Sequence, residues 1–201
     1  MSYQIAFVRH AKTPGNEQGR YIGSRTDEGL SELGIRQLRD RWRAGDEIRE
    51  YSDGFTSVFV SPMKRCQETA RILGAADYLV IEELSEIDFG EFENHNYEEL
   101  NGRSDYQSWI DSGGMADYPG GESLSHFLER NQRAFQKMVS VLQREKKQKA
   151  LVVCHGGNIM AIFSQLTGEN YFDFQMANAE GYLLEFDLEE NEVVNISYRR
   201  I

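Results

Sequence analysis

Residues 5–16 read IAFVRHAKTPGN. Ile5, Ala6, Phe7 and Val8 form a short apolar run of the kind that fills a strand buried on both faces. Arg9 and His10 follow without a break, and Thr13, Pro14, Gly15 and Asn16 then make a polar turn. In open α/β sheets, ligands bind just beyond the carboxyl ends of the strands. An imidazole at that edge suits a nucleophile, and a guanidinium suits a clamp on an anionic group. Most strands end in polar residues, however, so this pair alone decides nothing.

Outward from this stretch, strands and helices alternate. A helix is expected from Ser31, a good N-cap, with Ile35, Leu38 and Trp42 on one face. Val58, Phe59 and Val60 make a second buried strand. Ser61 and Pro62 then open another helix, with Ser as cap and Pro at its first position, and Gly74 stops it. Tyr78 to Ile81 is a third strand. A long helix runs from Ser123, with Leu124, Phe127, Leu128, Phe135, Met138, Val139 and Leu142 in one stripe. Leu151, Val152 and Val153 form a fourth strand, followed by a helix from near Asn158 to Gly168. Tyr182–Leu188 and Val193–Tyr198 read as an antiparallel pair turning at Glu190 and Asn191. Such alternation predicts an α/β/α sandwich in three layers. Its central sheet is mostly parallel, made mixed by the terminal hairpin.

One stretch breaks the rhythm. From about residue 86 to 121 the chain is polar and aromatic, with Phe89, Phe92, Tyr97, Tyr106, Trp109 and Tyr118. It reads as an insertion folded over something, within one domain spanning 1–201. The 201 residues are enough for one sizeable core, and there is no repeat, low-complexity tract or linker.

Composition narrows the function classes. A net charge of −11 disfavours nucleic acid and acidic membranes as partners. The basic run Arg144–Lys149 closes a helix, where positive charge is favoured. No stretch approaches the ~18 apolar residues of a membrane span. MSYQIAFVRH lacks the layout of a secretory signal. Cys66 and Cys154 do not make a disulfide framework and read as buried thiols, in keeping with a cytoplasmic location.

The strand-end rule applies twice more. The second strand runs into Ser61, with Arg65 a turn beyond, and the fourth runs through Cys154 into His155-Gly156-Gly157. A glycine pair opening a helix lets an anion approach free backbone N–H groups. Two histidines and two arginines therefore converge on one sheet edge. Alone, His155 would read as a core histidine and Arg65 as a solvated one. His95, His126 and Lys12 match no such position. No His, Cys or Asp spacing resembles a metal ligand set.

At this point the chain resembles the histidine phosphatase superfamily, which includes the cofactor-dependent phosphoglycerate mutases. Arg9-His10-Ala11-Lys12-Thr13 with Asn16 resembles the family's RHGxT signature. Ser61 to Ala70 resembles its SPxxRxxxTA helix, Leu84 to Gly90 its LxExxFG segment, and Cys154-His155-Gly156-Gly157 its SHGG turn. The resemblance implies a phosphoglycerate mutase-like fold and a metal-free, cofactor-free reaction. His10 would become a phosphohistidine. Arg9, Arg65 and His155 would hold the phosphoryl oxygens, with Asn16, Thr13 and Gly156 as further binding residues. Glu86 would be the general acid, its pKa raised by burial against nearby arginines. Glu82, Glu83, Asp88 and Glu91 crowd it, and the choice among them rests on the resemblance. Two departures stand out. Ala11 replaces the usual glycine, which a small methyl should allow. Gly29 stands where proline is common, which should loosen the loop before Ser31.

The segment 86–123 resembles the α-ribazole phosphatase branch, which acts in cobalamin assembly, more than the mutases with their longer insertion. Tyr97, Tyr106 and Trp109 are the rings expected to pack on a flat base. The expected partner is a small phosphorylated metabolite, and the expected assembly a monomer or homodimer. A phosphoglycerate mutase and a non-catalytic phosphate-binding regulatory module are the alternatives.

Overall fold

The computed structural model describes residues 1–43 and 57–201, and the side chain of Trp42 lies outside what is described. Six strands form one sheet: β1 (Ser2–Arg9), β2 (Ser57–Val60), β3 (Leu79–Val80), β4 (Lys149–Cys154), β5 (Gly181–Glu189) and β6 (Glu192–Arg200). Their order is β3-β2-β4-β1-β5-β6. β1, β2, β3 and β4 run parallel, while β5 and β6 are antiparallel to their neighbours. The sheet is therefore mixed, as the terminal hairpin implied.

Alternation along β1 divides the core. Ile5 and Phe7 face one side, where they meet Phe135 and Met138 of α6 (Leu124–Glu145) and Phe163 of α7 (Gly156–Thr167). Ala6 and Val8 face the other, with Leu38 of α2 (Glu32–Arg43) and Ala70 of α3 (Lys64–Ile72). Phe7 and Phe59 are completely buried, and each such ring contributes about 1.5–3 kcal/mol. The chain leaves β1 for α2 on one face and leaves β4 for α7 on the other. The neighbouring strands β1 and β4 thus flank a topological switch point, where a crevice opens at their carboxyl ends.

Local chemistry sets the boundaries. The Gly34 N–H donates to Ser31 Oγ at 2.9 Å, so Ser31 caps α2 as expected. Glu190 and Asn191 turn the β5–β6 hairpin with φ of 51° and 71°, the left-handed pair that two-residue hairpins demand. β3 is shorter than the Tyr78–Ile81 run: Leu79 and Val80 pair with Phe59 and Val60, the Ile81 N–H donates to Val60 O at 2.9 Å, and the chain then coils into a 3₁₀ turn at Glu82–Leu84.

α3 differs at its start. Its N-cap is Met63, without a side-chain hydrogen bond, and the helix begins at Lys64. Ser61, two residues earlier, accepts on its Oγ both the Met63 N–H at 3.3 Å and the His155 Nε2–H at 2.8 Å. α7 begins two residues before the expected Asn158, because His155 takes the cap position and Asn158 folds back to accept the His155 N–H. Ala11 is buried in the second core cluster. The Gly29 loop is not loose: Leu30 N–H donates to Glu68 at 2.7 Å, and a Cβ on Gly29 would lie 3.0 Å from that carboxylate. The aromatic segment carries α4 (Tyr97–Leu100) and α5 (Ser104–Asp111) and packs its own small core of Phe92, Leu100 and Tyr106. Among the described residues, no helix is long and apolar enough to cross a membrane.

Candidate active site

Register brings three strand ends together. Arg9 pairs with Cys154, and Val60 with Val153. The ladder continues one residue further, with His10 N–H on Cys154 O at 2.9 Å and Ser61 N–H on Val153 O at 3.0 Å. His10, Ser61 and His155 thus leave the sheet side by side, and the two imidazole centroids are 5.1 Å apart.

Hydrogen-bond partners fix both tautomers. His10 Nδ1 lies 2.8 Å from the Ala11 carbonyl, which can only accept. Nδ1 therefore carries the proton, and Nε2 keeps a free lone pair. His155 Nδ1 accepts from Arg65 Nε at 3.2 Å, so its proton sits on Nε2 and is donated to Ser61 Oγ at 2.8 Å. Burial pushes both histidines well below the usual imidazole range, and the charges of Arg65 and Arg9 push the same way. Both rings are neutral near pH 7. The His10 backbone is pinned as well, its carbonyl accepting from Asn178 Nδ2 and from the Ala179 N–H.

The two arginines differ. Arg65 is wholly buried and bonds His155 and the carbonyls of Ile22, Gly23 and Thr26. It ties the polar loop after α1 (Pro14–Glu17) to the second histidine. Arg9 donates from one terminal nitrogen to Met176 O at 2.8 Å, while its buried Nε–H has no acceptor. Such an orphan is costly and stands where an anion would satisfy it.

Glu86 is buried, with Oε1 accepting the Ile87 N–H and Oε2 3.8 Å from His155 Nδ1. Burial raises its pKa, opposed by that N–H and by Arg65, Arg9 and Arg130. Arg130 of α6 holds the Glu86 segment from behind. It donates to the carbonyls of Glu83, Ser85 and Glu86 and makes a two-pronged pair with Glu122. Asn158 links Ser85 O, Asn131 and the His155 N–H, joining acid and histidine through one polar network.

Thr13 and Asn16 form a reciprocal cap at α1. Asn16 Oδ1 also accepts from Asn178, which leaves its NH₂ as the available donor. Gly156 opens α7 beside Arg9, where even a Cβ would stay 3.5 Å from Arg9 Nε. Gly157 has no such latitude: a Cβ there would lie 2.6 Å from Glu86 Oε1. Sequence reading made Ser61 a cap and missed Asn178, Arg130 and Asn158. Ser61 stood at a strand end like the histidines and was legible by that rule. The other three lie on a loop and in helix bodies, with no local signal.

A cavity of about 420 Å³ reaches this group through Arg9, Glu86 and Gly156. Its other walls include six rings, Tyr21, Phe89, Trp109, Tyr118, Tyr171 and Phe172, with the aliphatic Ile87, Leu124, Met160 and Met176. Of the rings predicted to face a ligand, only Trp109 does so. Tyr106 stacks on Trp109 from the insertion's own core, and Tyr97 is exposed, since α4 turns it outward. His95 and His126 are exposed, and Lys12 lines a separate cleft with Asp40 and Arg41. Among the described residues no three His, Cys, Asp or Glu side chains gather as a metal site.

A neutral histidine, an unsatisfied guanidinium and a protonatable carboxyl at a switch point define an α/β enzyme of phosphoryl chemistry. The chain belongs to the histidine phosphatase superfamily (branch 1), whose model matches residues 5–198. It is 31% identical to a 2,3-bisphosphoglycerate-dependent phosphoglycerate mutase of Parvibaculum lavamentivorans, over 81% of this chain and 79% of that one. It is 28% identical to phosphoserine phosphatase 1 of Hydrogenobacter thermophilus, over 96% and 92%. The fold matches a crystal structure of the α-ribazole phosphatase from Shigella flexneri with a TM-score of 0.74, at 22% identity over 94% and 93%. The general activity of the chain is that of a phosphatase.

Proposed function

We propose that the chain hydrolyses phosphate monoesters through a phosphohistidine at His10. The Nε2 lone pair attacks phosphorus as the ester P–O bond breaks, and Glu86 gives its proton to the leaving oxygen. In the second half, the Glu86 carboxylate takes a proton from water. The water oxygen then attacks phosphorus, the P–N bond breaks, and phosphate leaves. Arg9 supplies its free Nε–H to the phosphoryl oxygens. Asn16 and the N–H groups of Gly156 and Gly157 complete the cradle, while His155, its one N–H given to Ser61, packs its ring edge-on against His10. Arg65 contributes charge and holds His155, and Thr13 holds Asn16.

One observation carries this reading: a neutral His10 with Nε2 free beside the unpartnered Arg9 Nε–H. His10→Ala tests it, with phosphate release from p-nitrophenyl phosphate measured in EDTA. Wild-type release undiminished by EDTA, together with loss of turnover and of acid-labile phosphoenzyme in the folded variant, is expected. Turnover that survives the substitution would overturn it.

The substrate is a small phosphorylated metabolite. α-Ribazole 5′-phosphate, in cobalamin assembly, is the member favoured by the resemblance of residues 86–123 and by a ring-lined cavity. We place the reaction in the cytoplasm, in keeping with two buried free thiols.

A further inference from the structure

Charge, more than shape, sets this cavity apart. Among the described residues that line it, Arg9 is the only cation and Glu86 the only anion. Arg9 is committed on one side to Met176 O and on the other to the reacting phosphoryl group. The other arginines nearby are occupied elsewhere. Arg130 is paired with Glu122, Arg25 with Asp88, and Arg103 with Glu91 and Asp105. Beyond the phosphoryl end, the walls offer rings locked edge to face. Tyr21 and Phe89 meet at 5.4 Å, Phe89 and Tyr118 at 5.0 Å, and Tyr171 and Phe172 at 5.1 Å. Trp109 and Tyr118 meet at 5.5 Å.

We infer that the cavity selects phosphate monoesters of flat, uncharged alcohols and rejects those whose leaving group bears a second anion. The inference rests on the phosphatase reading and names the substrate class for the same site. A carboxylate or second phosphate inside it would lose water and gain no cation. It would also share the space with Glu86, which becomes an anion as it gives its proton to the leaving oxygen. A flat neutral ring loses little water and finds faces and edges to pack on. About 420 Å³ lies within the range of sites that enclose whole small ligands, and a three-carbon acid phosphate would leave much of it unfilled. Specificity here is built as much by withholding a countercharge as by contact. The names of the sequence relatives, with serine and glycerate acids as their alcohols, point the other way.

Three esters decide it: benzyl phosphate, 4-carboxybenzyl phosphate and 4-carbamoylbenzyl phosphate. The methylene insulates the leaving oxygen from the ring substituent, and the amide matches the carboxylate in shape without its charge. Benzyl and carbamoylbenzyl phosphates are expected within about threefold of each other in kcat/KM, with carboxybenzyl phosphate at least tenfold below both. In Phe172→Lys, which sets a cation at the half-exposed rim, the carboxylated ester should recover to within about threefold of the neutral one. Equal rates for carboxylated and carbamoylated esters in the wild type would overturn the charge rule while leaving the phosphatase standing. No phosphate release from any of the three, nor from p-nitrophenyl phosphate, would overturn both.

Discussion

The nucleophile and the acid are set in opposite states by one environment. Burial disfavours a second proton on His10 and favours one on Glu86, so each is pushed toward the form the first step needs. Acid should stop the enzyme only well below the ordinary imidazole pKa, where His10 finally protonates. Base should stop it as Glu86 loses its proton, above the ordinary carboxylate pKa. A kcat profile on benzyl phosphate, which does not follow the free ester's own second ionisation at about 6, should therefore be bell-shaped, and an acid limb in it near 6.5 would contradict a buried neutral His10. Glu86→Gln should lower kcat/KM on benzyl phosphate by about 10²–10³ and flatten the alkaline limb. With p-nitrophenyl phosphate, whose leaving group needs no proton, the same variant should keep a burst of p-nitrophenol and stall at hydrolysis of the phosphoenzyme. Loss of the burst together with turnover would move the acid role to another group.

Between elements, the tightest constraint lies where α7 meets the segment carrying Glu86. Gly157→Ala puts a methyl 2.6 Å from Glu86 Oε1 and 3.1 Å from the Phe127 ring. The carboxyl can swing away, so folding should persist while kcat falls by about 10²-fold, as expected for a displaced catalytic group. Circular dichroism and kcat measured together check this, and an unaltered kcat would show that Glu86 acts from another position. The elements themselves were largely legible, because apolar runs at strand period and stripes at helix period survive any tertiary context. Ser31, Gly168 and the Glu190-Asn191 turn were legible for local reasons too. Ser61 still accepts a backbone N–H ahead of α3, but the helix starts at Lys64 and the same hydroxyl also accepts from His155, a tertiary partner that spacing does not reveal. Asn178 and Arg130 act on the backbones of His10 and of residues 83–86. Backbone contacts between distant segments leave no trace in spacing. The aromatic segment betrayed its presence by composition, but which of its rings face the cavity depends on how α4 and α5 turn.

For the molecule as a whole, the site opposes stability in acid. The unfolded chain binds protons at His10 and His155 as pH falls through 6.5, and the folded chain does not. Stability should therefore drop below that pH, by up to ~1.4 kcal/mol per pH unit for each histidine. Glu86 has the reverse sign. Its folded pKa is raised above 4.5, so its contribution is full below that pH and is lost as pH rises through the folded value. Urea unfolding at pH 7 and pH 5 should show a loss toward acid that is steeper in Glu86→Gln, where the offset is gone. A stability that rises toward pH 5 in that variant would mean the histidines are not buried neutral. The strand order has a consequence of another kind. β1 lies between β4 and β5, and Gln4 pairs with Lys149 on one side and Glu185 on the other. During synthesis the stretch that opens the site precedes both of its neighbours. Both edges of Ile5–Val8 stay unpaired until Lys149–Cys154 and Gly181–Glu189 have emerged, a long exposure for an apolar strand. A nascent chain that lacks β4 has a nucleophile and no sheet to hold it in place.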